Sequence, residues 1–179
     1  MTDFTLYSRR LIYRVMEPAD LQAYYEVVKS DEVGKWLASG RGKTESEALA
    51  KIVSYQESFK INGYGAWGVW EKNSDRLIGQ AGLLRTDDQE VELLYALSPE
   101  FWYLGYGREC ALRMLEFGFE ICGLSEIIAY ARPDNERSFK VLEKCGLKFI
   151  GIRNYRGVEM HYYVIKKEKW LDEKISNQY

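Results

Sequence analysis

The chain has 179 residues, of which 46% are hydrophobic and 29% charged, and its formal net charge is −2. This length fits one domain, expected over residues 1–179, and the charge balance excludes a strong preference for nucleic acid or for membrane surfaces. No apolar run approaches the roughly 20 residues that span a bilayer, and the first residues lack the layout of a signal peptide. We therefore expect a cytoplasmic protein with neither nucleic acid nor membrane as a partner.

In chain order, the first half of the sequence predicts one strand, two helices and three strands. These elements cover residues 10–16, 17–37, 44–62, 66–72, 76–86 and 91–97. The second helix is the best marked, because Thr44 and Glu47 have the spacing of a capping box and Gly63 follows as a stop signal. Short polar turns between the three strands favour antiparallel pairing.

The second half predicts a helix, a compact apolar strand, a second capped helix and a closing pair of strands. These cover residues 111–123, 126–131, 134–146, 147–153 and 158–167. A strand reached through a helix pairs in parallel with its predecessor, so the sheet is mixed.

The sequence has few residues from which a metal site or a Ser/His/Asp triad could be built. His161 is the one histidine, and Cys110, Cys122 and Cys145 lack the spacing of a metal or redox motif. We predict free thiols in apolar helical patterns, a structural or surface role for His161, and no bound metal.

Two glycines, Gly105 and Gly107, lie between the strand at 91–97 and the helix that follows. Unpaired N–H groups and the helix dipole attract anions at such a position, so a phosphate is the expected ligand. The segment lacks the lysine of a nucleoside-triphosphate loop and the third glycine of a dinucleotide fold. On spacing alone, a tight turn that needs glycine to start a helix is an equal alternative.

The order of elements resembles the GNAT superfamily of acyl-coenzyme A-dependent N-acyltransferases, and two motifs strengthen the resemblance. The stretch LSPEFWYLGYGREC is similar to the pyrophosphate loop of that superfamily, with Trp102 in its first place and Gly105 and Gly107 in its glycine places. A tryptophan there is typical of the ribosomal-protein-alanine N-acetyltransferase (RimJ/RimL-like) branch. That branch also shows an N-x-x-S-x-x-V-L-E-K-x-G segment, which the chain matches from Asn135 to Gly146.

The resemblance implies a single α/β (α+β) domain with a mixed, mostly antiparallel, seven-stranded sheet and about four flanking helices. It also implies a splay between strands 4 and 5, the predicted strands at 91–97 and 126–131. The implied activity is transfer of an acetyl group from acetyl-CoA, the co-substrate, to a primary amine of a small molecule or a protein N-terminus. The protein would act as a monomer or homodimer, and a catalytically silent coenzyme A-binding protein of the same fold is the alternative.

The resemblance also implies which residues bind coenzyme A on the acetyl-donor side of the site. They lie in the fourth predicted strand, in the glycine loop and at the start of a later helix. The implied coenzyme A-binding residues are Tyr95, Ala96, Leu97, Trp102, Leu104, Gly105, Tyr106, Gly107, Arg108 and Asn135.

For catalysis the resemblance implies Ser138 as proton donor to the leaving thiolate, because Leu142 occupies the position of the tyrosine that many relatives use. Glu92 is the implied base, and Glu159 is a second candidate. The alternatives stay open: Ser138 as an ordinary helix-start serine, and Glu92 as a solvated carboxylate.

Four aromatic residues are candidates for the wall of the acceptor cleft, with core packing as the alternative for each. They are Trp36, Trp67, Tyr64 and Tyr155.

Overall fold

The computed structural model describes residues 4–37 and 39–176, and these residues build one mixed sheet of eight strands in the order β1-β2-β3-β4-β5-β6-β8-β7. The strands are β1 (Leu6–Tyr7), β2 (Leu11–Arg14), β3 (Ala66–Glu71), β4 (Arg76–Arg85), β5 (Val91–Leu97), β6 (Glu126–Ala131), β7 (Lys148–Tyr155) and β8 (Val158–Lys166). All neighbouring pairs are antiparallel except β5 and β6, which run parallel.

Six α-helices flank this sheet in the described residues. They are α1 (Leu21–Val28), α2 (Asp31–Gly34), α3 (Glu45–Asn62), α4 (Tyr106–Glu116), α5 (Glu136–Lys144) and α6 (Lys167–Ser176). A π-helical turn, Phe117–Ile121, continues α4 toward β6.

Two hydrophobic clusters sandwich the sheet. Side chains of α4 and α5, among them Met114 and Leu142, pack on one face, while α1 and α3 pack on the other through residues such as Val28 and Ile52. Strand β3 is buried at every position, because helices cover both faces of the sheet there.

The fold class predicted from the sequence is confirmed, with two corrections of number: the sheet has eight strands rather than seven, and six helices flank it rather than about four. Strand β1 has only two residues, too few to show the alternation of polar and apolar residues that predicts a strand. Helix α6 follows β8 directly, and the indole of Trp170 is 6.0 Å from the ring of Phe119, a tertiary contact with no local signature.

Two predicted helices have different bounds in the structure. The predicted helix at 17–37 divides at Ser30, whose Oγ accepts a hydrogen bond from Glu32 N at 3.1 Å and caps α2. The predicted helix at 111–123 begins earlier, at Tyr106, so Gly107 lies inside its first turn rather than in front of it.

Strand β7 forms one edge of the sheet and exposes apolar side chains on it. Phe149, Ile150 and Ile152 are exposed, and Ile150 is 62% accessible. The pairing with β8 is irregular here: Phe149 is opposite Tyr163 and Gly151 opposite Tyr162, so Ile150 is an extra residue in a β-bulge.

No helix within the described residues is long and apolar enough to cross a membrane. In the same residues, no group of three or more His, Cys, Asp and Glu side chains is arranged to hold a metal ion.

The capping box of α3 generates the first testable prediction. Thr44 Oγ1 accepts a hydrogen bond from Glu47 N at 3.3 Å, and Thr44 N donates to Glu47 Oε2 at 2.8 Å. Replacing Thr44 by Ala removes the cap, so we expect the free energy of unfolding to fall by about 1 kcal/mol in urea denaturation. Ser54→Ala, an exposed change inside the same helix, is the control and should not destabilise the protein.

Candidate active site

The centre of the sheet opens between β5 and β6. The two strands pair at one position, Glu92 with Ile128, and then separate. Beyond that point Tyr95, Ala96 and Leu97 pair only with β4. In the described part of the chain, this leaves the β6 side of the β5 backbone without a ladder partner, so its N–H and C=O groups are available to a ligand. The predicted splay is therefore present, between the fifth and sixth strands of the observed sheet.

The glycine loop leads into α4 directly beside this opening. Gly105 is the N-cap with φ +82°, and no side chain caps the helix. Intrahelical bonding starts with Glu109 N donating to Gly105 O at 3.1 Å, so the amides of Tyr106, Gly107 and Arg108 have no partner inside the helix. These amides and the helix dipole form an anion site of the kind that binds phosphate.

The two loop glycines are there for different reasons. Gly105 adopts a left-handed conformation that side chains disfavour, so the turn itself requires glycine. Gly107 does not have a positive φ, and a Cβ added to it would meet its nearest neighbour, Tyr95 Cε2, at 3.6 Å, an ordinary contact. The fold therefore does not demand glycine at 107, and close approach of a ligand to the backbone explains it better.

Contacts from distant elements hold the loop in place. Trp102 Nε1 donates to Leu97 O at 2.8 Å and ties the loop to the end of β5. Arg10, directly before β2, donates from Nη1 to Leu104 O at 2.9 Å and from Nε to Glu109 Oε2 at 2.7 Å. Trp102 thus contacts β5 rather than facing only toward the anion site, and Arg10 is a supporting residue that the sequence analysis did not find.

A second cation missed in the sequence, Arg137, lies over the loop. Its guanidinium carbon is 3.7 Å from the centroid of the Trp102 ring and 5.3 Å from that of Trp36. Arg108, the cation that the sequence suggested, is exposed at the third position of α4. Arg137 therefore joins Arg108 as a candidate partner for a phosphate group.

The start of α5 closes the donor side of the opening. Asn135 is the N-cap, and its Oδ1 accepts a hydrogen bond from Ser138 N at 3.2 Å. The Ser138 Oγ is hydrogen-bonded to the Tyr95 hydroxyl at 3.0 Å, and burial raises the pKa of that tyrosine above its usual value. Leu142 is buried in the core. A tyrosine hydroxyl is thus present beside Ser138, but it comes from β5 rather than from α5.

Glu92 lies on the opposite face of β5 from Tyr95, because odd and even positions of a strand point to opposite faces. Tyr155 OH donates to Glu92 Oε2 at 2.9 Å, and the Tyr155 ring stacks on Tyr130 with centroids 4.3 Å apart. Burial raises the pKa of Glu92, and this hydrogen bond together with the charge of nearby Arg156 opposes the rise only in part. A half-buried carboxylate with a raised pKa at the mouth of a cleft has the character of a general base.

The remaining sequence candidates lie elsewhere. Trp67 and Tyr64 are 0% and 3% exposed in the core, so core packing, one of the two alternatives open for them, is the one observed. Glu159 is exposed on β8, and His161 stacks on Phe139 with ring centroids 4.7 Å apart, a structural role.

All three cysteines are thiols outside any disulfide bond, as predicted. Cys110 and Cys145 are buried and Cys122 is partly buried.

Comparison with known proteins is consistent with this geometry. Residues 10–148 match the family model described as an acetyltransferase (GNAT) domain. The chain is 28% identical to the uncharacterized N-acetyltransferase YoaA of Bacillus subtilis over 82% of this chain and 84% of that protein. It is 30% identical to the FsC-acetyl coenzyme A-N(2)-transacetylase of Aspergillus fumigatus over 78% of this chain and 66% of that protein. The crystal structure of a GNAT-family acetyltransferase from Bacillus anthracis superimposes with a TM-score of 0.78 at 23% identity, covering 92% of this chain and 99% of that one.

The contrast between the two glycines generates the second prediction. Gly107→Ala places a better helix former in the first turn of α4 without a clash, so we expect the free energy of unfolding to stay equal or to rise by up to about 1 kcal/mol. Binding of acetyl-CoA, measured by calorimetry, should weaken at least tenfold because the methyl group keeps phosphate away from the amides. Unchanged affinity in a folded variant would contradict the assignment of the loop. Gly105→Ala is the contrasting variant and should lose stability.

Proposed function

The chain belongs to the GNAT family of acetyltransferases and is an N-acetyltransferase, and we propose that it moves the acetyl group of acetyl-CoA to a primary amine by direct attack within a ternary complex. The observation that carries this proposal is the opening between β5 and β6, with Ser138 and Tyr95 on one face of the sheet and Glu92 on the other. A donor on the first face and an amine on the second would meet at the gap between the strands.

The donor side supplies binding and orientation. The free amides of Tyr106, Gly107 and Arg108 would face the pyrophosphate, and the open edge of β5 at Tyr95 to Leu97 would pair with the pantetheine arm. Trp102 and Asn135 would contribute by holding the loop and the start of α5 in position. Fixing the thioester in one orientation supplies much of the rate enhancement for an addition of this kind.

Two protein sites transfer protons in the proposed reaction, Glu92 as acceptor and the Ser138–Tyr95 pair as donor. The amine nitrogen bonds to the thioester carbonyl carbon and loses a proton, which Glu92 accepts directly or through water. The carbon–sulfur bond then breaks, and the departing thiolate takes a proton from the Ser138 hydroxyl, which Tyr95 can replenish across their 3.0 Å hydrogen bond. The cycle closes when Glu92 releases its proton to solvent and the Ser138–Tyr95 pair takes one from solvent after the products leave. A hydrogen-bonded pair thus takes the place of the tyrosine that position 142 lacks.

The alternative is a catalytically silent coenzyme A-binding protein, which the leucine at position 142 favours. The Tyr95 hydroxyl beside Ser138 weakens this alternative, because it supplies a tyrosine hydroxyl that position 142 lacks. Release of free coenzyme A thiol from acetyl-CoA in the presence of an amine panel decides between them. Thiol release that depends on an amine supports the enzyme, whereas binding of coenzyme A with no turnover supports the silent protein.

The third prediction concerns the serine–tyrosine pair. Ser138→Ala and Tyr95→Phe should each lower kcat by roughly ten- to a hundredfold, with smaller changes in the KM for acetyl-CoA, because proton donation acts in the transition state. If the two hydroxyls work as one unit, the double variant should be no slower than the worse single variant. Wild-type kcat in Ser138→Ala, with chemistry shown to limit the rate, would remove the pair from the mechanism.

The fourth prediction concerns Glu92. The carboxylate accepts a proton only when ionised, so the wild-type rate should fall as pH drops through its pKa, which lies above the usual glutamate value. Glu92→Gln should lose most activity below the pKa of the amine, where few acceptor molecules are neutral, and least above it. We expect about a tenfold loss or more at neutral pH in a pH–rate series. Glu57→Gln, an exposed change on α3, is the control and should follow the wild-type profile.

A further inference from the structure

Three basic side chains lie on the same side of the sheet as Glu92 and have no role in the proposed reaction. They are Lys43, Lys51 and Arg156. The charges of Lys43 and Arg156 each act on Lys51, and those of Lys51 and Arg156 act on Glu92, so Lys51 links the group into one electrostatic cluster.

Helix α3 holds Lys51 over the opening. Its Nζ is 5.8 Å from the centroid of the Tyr55 ring, one helical turn further on. Tyr55 OH donates to Gln80 Oε1 at 3.1 Å, and Gln80 is paired with Ala96 in the separated part of β5. Lys51 is therefore half-buried on the helix that packs against this part of the sheet.

Arg156 approaches the same place from the turn between β7 and β8. It has φ +52° in that turn, and its guanidinium carbon is 5.2 Å from the centroid of the Tyr155 ring. Tyr155 in turn donates its hydroxyl hydrogen to Glu92 at 2.9 Å. The two basic groups thus face the carboxylate from the α3 side and from the β7–β8 side.

One carboxylate near this cluster is already paired. Glu47, whose charge acts on Lys43, makes two hydrogen bonds with Arg41 at 2.7 and 2.9 Å. Glu92 is the carboxylate whose charge acts on Lys51.

The three cations of the cluster form no close ion pair. Among the described residues, no carboxylate oxygen comes within 4.0 Å of the charged nitrogens of Lys43, Lys51 or Arg156. Burial, followed by repulsion from Lys43 and Arg156, lowers the pKa of Lys51, and the more distant charge of Glu92 opposes this only in part. An anionic ligand between the cations would reduce their repulsion.

We propose that the acceptor is a small amine that also carries an anionic group, a carboxylate or a phosphate, which Lys51, Lys43 and Arg156 hold while the amine faces Glu92. This inference rests on the proposed N-acetyltransferase function. The same cluster disfavours polycationic acceptors such as polyamines, because a second ammonium group would meet three positive charges and one negative charge.

Matched acceptors test the charge requirement. Thiol release from acetyl-CoA is measured with each of the common amino acids, with the corresponding amino acid amides, with phosphoethanolamine, with acidic and neutral N-terminal peptides, and with spermidine. We expect kcat/KM for the best carboxylate or phosphate amine to exceed that of its uncharged counterpart at least tenfold, with spermidine among the poorest. The carboxylate and phosphate arms identify which anion the cluster takes.

A variant on α3 ties the preference to the cluster. Because the charge of Lys51 also lowers the pKa of Glu92, the readout is the ratio of kcat/KM for the anionic acceptor to that for its uncharged amide. Lys51→Gln should lower this ratio at least tenfold, whereas Lys51→Arg should restore most of it. Lys60→Gln is the matched control, because Lys60 lies on the same helix but is exposed and paired with Glu57 at 3.4 Å. It should behave as wild type with both acceptors.

The outcomes separate the two proposals. Turnover that is best with spermidine, an amide or a peptide, or that is insensitive to Lys51→Gln, overturns the anionic acceptor and leaves the N-acetyltransferase function standing. Calorimetric binding of an amino acid or phosphoethanolamine to the coenzyme A complex, lost in Lys51→Gln but without turnover, supports the anion site and counts against catalysis. Absence of both turnover and binding across the panel overturns the inference.

Discussion

The separation of β5 from β6 after a single paired position is the constraint on which the site depends. A parallel pair that continued along both strands would use the edge groups of Tyr95 to Leu97 within the sheet and close the gap. The early separation leaves these groups available to bind a ligand and opens a gap between the two faces of the sheet. Glu92, at the point where the strands part, and Tyr95, three residues further along, are thereby placed on opposite sides of one passage.

The elements around this passage are fastened by contacts between residues far apart in sequence. Trp102 binds the end of β5, Arg10 binds the loop and Glu109, and Asn135 caps the helix that carries Ser138. Although burial alone would raise it, hydrogen bonds from Ser8 and Arg10 hold the pKa of Glu109 below its usual value, so this brace is charged at neutral pH. An anion site built from backbone amides needs such rigidity, because misplaced amides lose their alignment with the ligand.

The sequence predicted the parts of this structure that have a local physical cause. Capping residues marked α3, the pair of glycines marked the start of α4, and the loop and α5 motifs identified the family, which the family match confirms. It did not predict what only tertiary contact creates. Arg137 over Trp102, the hydrogen bond between Tyr95 and Ser138, and the approach of Lys51 to Glu92 join residues far apart in the chain, and no spacing rule connects them. The sequence could not place Trp67, which is buried in the core, because an aromatic residue in an alternating run has the same pattern in a cleft wall as in a core.

The bulge at Ile150 bears on how the protein behaves when it is concentrated. An edge strand with exposed Phe149 and Ile152 offers apolar side chains and free backbone groups, the combination that promotes strand addition between molecules and then fibrous aggregation. The extra residue breaks the alternation of the strand and increases its local twist, so a second chain cannot stay in register along the whole edge. Colloidal stability at this edge is therefore protected by backbone geometry, in addition to the charges of exposed Lys148 and Arg153.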